Sequence, residues 1–271
     1  MPILDPIVGI KGAGEMASAV AWRLYMSNIR RVIMMETPRP LAVRREVSFC
    51  ESLFLGKKTV EGVEAIMAES IHRVDEIWRQ KAIPVIADPS WHSLVRLKPQ
   101  VVVDAILAKR NLGTAINEAP LVIGLGPGFI AGVDVHLVIE TNRGHHLGRI
   151  ITGGSAEPNT GIPGDIGGHT SKRVLRAPAD GAFQSEKEIG DFIRTGDIVG
   201  AVSGKTIKTA IDGIIRGLIR PGTTVTRNMK IGDIDPRGVK DFCYTISDKA
   251  RTVSGSVLES ILRVFNTSTP V

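Results

Sequence analysis

The sequence predicts an α/β fold in which a parallel-sheet domain precedes a small all-β domain and a C-terminal helix. In the first half, short apolar runs alternate with segments of helical periodicity. From about residue 176, glycines alternate with β-branched residues in short segments. The first pattern is typical of a parallel sheet and the second of an all-β domain. The predicted domains are 1–165, 171–236 and 237–265, and the last is a strand and helix that pack back on the first domain.

The start of the chain predicts a nucleotide-binding βαβ unit. An apolar strand (7–10) leads into Gly12–Ala17, which matches G-x-G-x-x-[GA], then a helix over 15–27 and a strand over 32–35 that ends in Glu36. In such a Rossmann-like unit the glycines let a phosphate approach the backbone, and an acid about 20 residues on binds a ribose. The cofactor-binding candidates here are Gly12, Gly14, Glu15 and Glu36. The charge of Glu15 inside the loop argues against a dinucleotide.

Further apolar runs predict more strands of the same sheet. They lie at 83–87, 101–103 and 121–124, with helical patterns near 43–54 and 70–81. Ligands of open α/β sheets bind beyond the carboxyl ends of the strands. The residues at that edge would include Asp88, Asp104 and the loop Gly126–Phe129, although both aspartates are equally typical of turns and helix caps.

Glycine is most concentrated between residues 121 and 164. Ten of these 44 residues are glycine, and three of the six histidines lie here. Glycine is needed where backbone turns sharply or approaches a ligand. The segment therefore predicts a binding surface, with a set of tight turns at a domain boundary as the alternative. It adds the cofactor-binding candidates Gly124, Gly126 and Gly128. Three arginines are the best placed by sequence to bind the phosphate of a ligand: Arg39, Arg44 and Arg143.

The histidines do not predict a metal site. His136 and Glu140 would share a face of a strand, but a zinc site needs three or four ligands. Adjacent residues of a strand, such as His145 and His146, point to opposite faces. We predict no metal site and leave the roles of the three histidines open. No nucleophile elbow, P-loop or protease triad is present, so the residues alone fix no reaction.

The composition of the chain limits the kinds of ligand and cellular setting that we expect. The net charge is +6, the sequence pI is about 9.5 and aromatics make up only 4%. Few aromatics disfavour single-stranded nucleic acid, so we expect a small anionic ligand. Two cysteines exclude a disulfide framework and indicate a reducing, cytoplasmic setting. No apolar run reaches the roughly 18 residues that span a membrane. A homodimer is the base-rate expectation.

The second half contains a loose repeat. Arg176–Gly181 recurs as Lys208–Gly213, and each copy ends in the turn-forming pair Asp-Gly. The repeat resembles the biotinyl and lipoyl carrier fold, the barrel-sandwich hybrid. Lys205 lies at the corresponding hairpin tip but has no methionine beside it, so we expect no covalent cofactor there.

Several segments together resemble a known family. They are Lys11–Ala17, Gly124–Phe129 with Asp134 and His136, Glu140–His145, Asp180-Gly181, Asp212-Gly213 and Ile246–Arg251. Over nearly the whole chain they resemble the bacterial accessory proteins of the selenium-dependent molybdenum hydroxylase system, whose Rossmann part is similar to that of xanthine dehydrogenase accessory proteins.

This resemblance implies a maturation factor that binds a molybdopterin-type cofactor and serves a molybdenum hydroxylase client. It carries over no catalytic residues. Two alternatives stay open from the residues. One is an NAD(P)-dependent oxidoreductase that uses Gly12–Ala17 and Glu36, and the other is a docking module for the hydroxylase formed by residues 171–236.

Overall fold

The computed structural model describes residues 5–266, which form two compact units. Unit 1 contains the chain up to Pro40, Ser48–Asn159 and the chain from Ile246 onward. Unit 2 contains Leu41–Val47 and Thr160–Thr245. The boundaries predicted from the sequence at residues 165, 171 and 236 stay predictions.

Unit 1 is built on a nine-stranded mixed sheet. Its strands are β1 (Val8–Lys11), β2 (Val32–Glu36), β3 (Lys57–Val60), β4 (Val63–Ala68), β5 (Ile83–Ala87), β6 (Val101–Asp104), β7 (Leu121–Leu125), β8 (Leu137–Ile139) and β9 (Ile150–Ile151). Their order is β3-β4-β5-β2-β1-β6-β7-β8-β9. In this order, all strands between β4 and β8 run parallel to their neighbours, and β3 and β9 pair antiparallel at the two edges. The central strands are fully buried, as the apolar runs predict.

The helices of unit 1 differ greatly in length. They are α1 (Glu15–Met26), α2 (Ser52–Leu55), α3 (Val74–Arg79), α4 (His92–Leu97) and α5 (Asp248–Phe265). Helix α5 packs along α1, and the Arg23 guanidinium donates to the Arg251 carbonyl at 3.3 Å. The helix predicted near 43–54 is mostly wrong, because 3-10 turns precede the four-residue α2. No helix within residues 5–266 has the length and apolar character to cross a membrane.

The predicted fold class is wrong. A mixed α/β fold on a nine-stranded mixed sheet replaces the Rossmann-like domain followed by a barrel-sandwich-hybrid-like domain. Two features of unit 1 were not predicted. The hairpin of β3 and β4 extends one edge, and no α-helix lies between β6 and β8. Local periodicity identifies single strands, but it does not show which strands close the edges of the sheet.

Unit 2 contains eight strands in two four-stranded antiparallel sheets. They are β10 (Val174–Arg176), β11 (Gly181–Gln184), β12 (Phe192–Ile193), β13 (Ile198–Val202), β14 (Lys205–Lys208), β15 (Gly213–Leu218), β16 (Thr224–Val225) and β17 (Lys230–Asp235). The orders are β10-β17-β15-β12 and β14-β13-β11-β16. Strands β11 and β15 each begin at the glycine of an Asp-Gly pair, where φ is +140° and +155°. The repeat thus marks two strand starts.

A buried ionic network lies in the first of these sheets. Asp233 accepts hydrogen bonds from Arg216, at 2.6 Å, and from Arg173. Burial raises the pKa of Asp233, but the charges of Lys230, Arg216 and Arg173 outweigh it and hold that pKa below its ordinary value. The network supports the fold of unit 2, because each buried charge has a partner.

Candidate functional site

The glycine loop after β1 is a tight, sterically required turn. Gly12 has φ +96°, and a Cβ there would lie 3.2 Å from the Ala105 carbonyl oxygen. Its N–H donates to the Met35 carbonyl at 2.7 Å. Gly14 is the N-cap of α1 and has open space where a side chain would be. The loop therefore holds the N-terminus of α1 beside the chain that follows β6.

Glu36 fixes the conformation of this loop. Its Oε2 accepts the Ala13 N–H and its Oε1 accepts the Thr37 N–H, both at 2.8 Å. Charge-assisted bonds of this kind are stronger than bonds between neutral groups. Both carboxylate oxygens thus brace the backbone, a role that the sequence pattern does not distinguish from a ribose contact.

The second glycine loop follows β7 and is equally constrained. Gly126 has φ +80°, and a Cβ there would overlap Thr141 Oγ1. Gly128 has φ +115°, and its Cβ would lie 2.7 Å from the Arg110 Cα. These glycines let three loops of unit 1 approach one another closely.

The two long helices begin at the same place. Ser247, the N-cap of α5, donates from its Oγ to Glu15 Oε1 at 2.9 Å, and Glu15 is the first residue of α1. Both helix N-termini carry partial positive charge. The guanidinium of Arg143 binds Asp248 with two bonds, of 2.7 and 2.9 Å. We name this region the carboxyl-edge crevice, defined by residues 12–15, 105–110, 126–128, 140–143 and 247–249.

Positive charge is crowded in the carboxyl-edge crevice. Burial lowers the pKa of Lys249 to about 8, with further lowering by the charges of Lys109 and Arg143 against the raising effect of Glu15 and Glu140. Burial also lowers the pKa of Lys109, while Glu140 raises it. With a pKa of about 8, the Lys249 amine is mostly protonated at neutral pH, and in that form it binds anions.

The other polar residues of this region bind the backbone. Glu140 is buried and accepts the N–H groups of Asn142 and Glu157, at 2.6 and 2.7 Å. His136 Nδ1 accepts the Val122 N–H at 2.9 Å, and burial lowers the pKa of His136. The rings of His145 and His146 meet edge to face at 5.1 Å. Within residues 5–266, no three His, Cys, Asp or Glu side chains are grouped so that they could hold a metal ion.

The structure brings most of the predicted site residues into the crevice, and Glu36 braces its first loop. Those in it are Gly12, Gly14, Glu15, Gly126, Gly128 and Arg143. Gly124 lies under the ring of Phe129, and Arg39 is exposed in the turn after β2. Arg44 belongs to unit 2, where it donates to the carbonyls of Phe242 and Thr245. Ligand contacts of these residues stay predictions.

Asp88 and Lys205 have ordinary structural positions. Asp88 accepts the N–H groups of His92 and Ser93 with its side chain and the Trp91 N–H with its carbonyl, so it has the structural role of a turn residue before α4, whose N-cap is Trp91. Lys205 is exposed at the start of β14.

The buried amine of Lys11 was not predicted. Its Nζ donates to Thr114 Oγ1 at 2.8 Å and to Glu118 Oε1 at 2.7 Å. Thr114 donates in turn to Asp104 Oδ2 at 2.6 Å. Burial raises the pKa of Asp104, although Thr114 and the charge of Lys11 lower it. The available signal was a lysine that continues an apolar strand directly before Gly12.

Comparison with known proteins gives little direct guidance. No family model matches the chain. It is 47% identical over 260 residues to "Uncharacterized protein YqeB" of Escherichia coli K12. The matched region covers 96% of this chain and 48% of that protein. The chain therefore spans about half the length of this curated relative.

Solved structures match only weakly. An aspartoacylase family protein of Mesorhizobium loti is 13% identical, with 85% of each chain covered and a TM-score of 0.27. A succinylglutamate desuccinylase of a Silicibacter species is 12% identical, with 86% and 85% covered and a TM-score of 0.25. The ectoine utilization protein EutE (DoeB) of Ruegeria pomeroyi is 9% identical, with 84% and 56% covered and a TM-score of 0.23. These scores are too low to transfer an activity.

The comparisons do not support the predicted family. No family model matches the chain and the curated relative is uncharacterized, so the predicted membership in the selenium-dependent molybdenum hydroxylase accessory family is corrected: the comparisons show no family for this chain. The predicted role in molybdenum hydroxylase maturation is corrected with it, and so is the alternative of an NAD(P)-dependent oxidoreductase, since both carboxylate oxygens of Glu36 already bind the loop backbone. No finding supports a molybdenum hydroxylase as a partner, either as a protein that this chain matures or as one to which residues 171–236 dock.

Proposed function

We propose that unit 1 binds a small organic anion, bearing a carboxylate or phosphate group, in the carboxyl-edge crevice. The observation that carries the proposal is the convergence of two helix N-termini with the cationic side chains of Lys109, Arg143 and Lys249. Helix N-termini and cations both stabilise bound negative charge.

The charged groups around Lys249 support the proposal that an external anion binds there. Glu15 and Asp248 each already bind a group of the crevice, through Ser247 and Arg143 respectively. The charges of Lys109 and Arg143 lower the pKa of Lys249, while the charges of Glu15 and Glu140 raise it, so the three cations of the region repel one another in part. A bound anion relieves that repulsion.

The glycine loops supply the remaining property of such a site. The backbone around Gly14 has room that a side chain would otherwise fill. An anion can therefore approach backbone N–H groups at the start of α1 while the lysines bind its other oxygens.

The test is calorimetric titration of the protein with citrate and with inorganic phosphate at pH 7. We expect binding of at least one of the two, weakened about tenfold or more by Lys249→Gln or Lys109→Gln, because each loses a charge-assisted bond. Lys205→Gln removes an exposed lysine of unit 2 and is the matched control. Absence of binding, or equal affinities in all variants, rejects the proposal.

A further inference from the structure

Lys249 occupies a position that is unfavourable for a lysine. It lies in the first turn of α5, two residues after the N-cap Ser247. The N-terminus of a helix carries partial positive charge, so it stabilises acidic side chains and destabilises a protonated amine. The side chain is half-buried, and within residues 5–266 its Nζ has no hydrogen bond or ion pair that would offset this cost.

The Lys249 amine nevertheless remains open to solvent. Among the residues that the structure describes, it is not one of the side-chain atoms that are both shut off from water and without a hydrogen-bond partner. A small molecule that enters the carboxyl-edge crevice can therefore meet a nitrogen that no other side chain occupies.

A second cation is fixed close to this amine. Lys109 belongs to a segment with an unusual backbone, because Leu107 and Lys109 have φ of +60° and +65°, values that are uncommon outside glycine. The loop after β7 presses on this segment, since a Cβ on Gly128 would lie 2.7 Å from the Arg110 Cα. Such conformations persist where the surrounding structure fixes them, and they cluster at functional sites. The position of Lys109 is therefore held by the backbone.

These surroundings make Lys249 a nucleophile. A pKa of about 8 gives its amine on the order of 100-fold more of the neutral form at pH 7 than a lysine of pKa 10.5 has. The neutral amine attacks carbonyl carbon, and lysines that are desolvated or lie beside another cation are activated for this reaction. Lys109 contributes the second requirement, a positive charge that can hold an anionic group of the carbonyl compound.

We infer that Lys249 forms an imine with the carbonyl carbon of a 2-oxo acid, whose carboxylate binds at Lys109 and the N-terminus of α1. This inference rests on the proposed anion site and names its substrate class. A 2-oxo acid fits because its carbonyl and carboxylate carbons are adjacent, so one small molecule reaches both lysines of the crevice.

The reaction needs no oxidant or reductant. The nitrogen lone pair of Lys249 forms the C–N bond, and the carbonyl oxygen leaves as water with one proton from the nitrogen and one from solvent. A protonated imine remains. The carboxylate of the bound 2-oxo acid then offsets positive charge in the crevice, which relieves the repulsion among its cations.

Pyruvate is the probe, and sodium cyanoborohydride reduces its imine to a stable secondary amine. We expect a gain equal to the mass of pyruvic acid less one oxygen atom, which peptide mapping places on Lys249 with at least about tenfold preference over the exposed Lys205. Acetone has the carbonyl but no carboxylate, so that preference should fall about tenfold with it. Lactate lacks the carbonyl and should give no adduct.

Three variants separate the imine from anion binding. Lys249→Arg keeps the positive charge and removes the nucleophile, so it should lose the adduct and still bind citrate or phosphate. Lys109→Gln should reduce the adduct on Lys249 about tenfold. Lys205→Arg changes an exposed lysine of unit 2 and should leave the adduct on Lys249 unchanged.

The wild-type protein alone decides the main point if a variant fails to fold. Labelling spread evenly over the exposed lysines, or a Lys249 adduct that Lys109→Gln leaves unchanged, would overturn the inference. Binding of citrate or phosphate without a pyruvate adduct overturns the imine alone, whereas absence of both rejects the proposed function as well.

Discussion

Replacing Lys249 by methionine should stabilise the protein while removing anion binding. Lys249 is half-buried, which disfavours its charge, and the charges of Lys109 and Arg143 repel it as well. Methionine has a similar length and no charge, so it keeps the packing and removes both the cost of burying the charge and the repulsion. A gain in stability on removing a site residue is expected where a site is organised for a ligand and not for the fold.

The size of the gain follows from the pKa of Lys249. That pKa falls from 10.5 to about 8, which corresponds to about 3 kcal/mol at roughly 1.36 kcal/mol per pKa unit. The side chain keeps part of its exposure, and water screens part of the repulsion. We therefore expect Lys249→Met to raise the free energy of unfolding by about 1–2 kcal/mol at pH 7.

The gain should depend on pH with a definite sign. Below about pH 8, Lys249 is charged in both folded and unfolded chains, and the wild type bears the full cost. Between about pH 8 and 10.5 the unfolded chain binds more protons than the folded one, so wild-type stability rises with pH relative to the variant. The difference should therefore disappear above pH 10.5.

Urea unfolding of the wild type and Lys249→Met, at pH 7 and at pH 9.5, measures both effects. Lys205→Met is the control, since an exposed lysine should change stability by no more than about 0.5 kcal/mol. A loss of stability in Lys249→Met at pH 7, or a gain that does not shrink toward pH 9.5, would refute the reasoning.

Three further changes test other parts of the structure. Gly126→Ala should cost about 1–3 kcal/mol more than Gly132→Ala in thermal unfolding, because both have φ near +80° but only the first meets Thr141; equal losses would contradict this. Asp233→Asn should lower the free energy of unfolding in urea by about 3–5 kcal/mol, since it removes the negative charge that the buried Arg173 and Arg216 guanidiniums share; a loss under about 1 kcal/mol would speak against it. Glu36→Gln should speed hydrogen exchange at the Ala13 and Thr37 amides, and unchanged exchange would show that the carboxylate does not brace the loop.

Most of the parallel strands of unit 1 could be predicted, because a buried strand is a short apolar run in the sequence itself. The runs at 83–87, 101–103 and 121–124 correspond to β5, β6 and β7. The hairpin at the sheet edge could not, since β3 is largely polar and its pairing with β4 gives no apolar period. The segment Leu41–Val47 belongs to unit 2 although its neighbours in sequence belong to unit 1. This assignment depends on long-range contacts, which a local sequence pattern does not encode.

The glycines of the crevice could be predicted for the same kind of reason. A close backbone approach excludes every side chain, so the positions of such approaches, Gly12, Gly126 and Gly128, can be recognised as glycines in the sequence. The predicted arginines fared less well, because any surface arginine fits an anion. Arg44 in fact binds two carbonyls of unit 2.

Lys249 and Lys11 show why the chemistry of a site is harder to predict than its backbone. The electrostatic surroundings and hydrogen-bond partners of each lysine amine come from residues far away in sequence. Lys249 is influenced by Lys109 and Arg143, and Lys11 by Thr114 and Glu118. A buried charge with partners, such as Lys11, serves the fold, whereas a charge crowded by like charges weakens it and is more typical of a functional site. Lys249 is therefore the residue on which the proposed anion site depends most, and Lys249→Met tests that proposal.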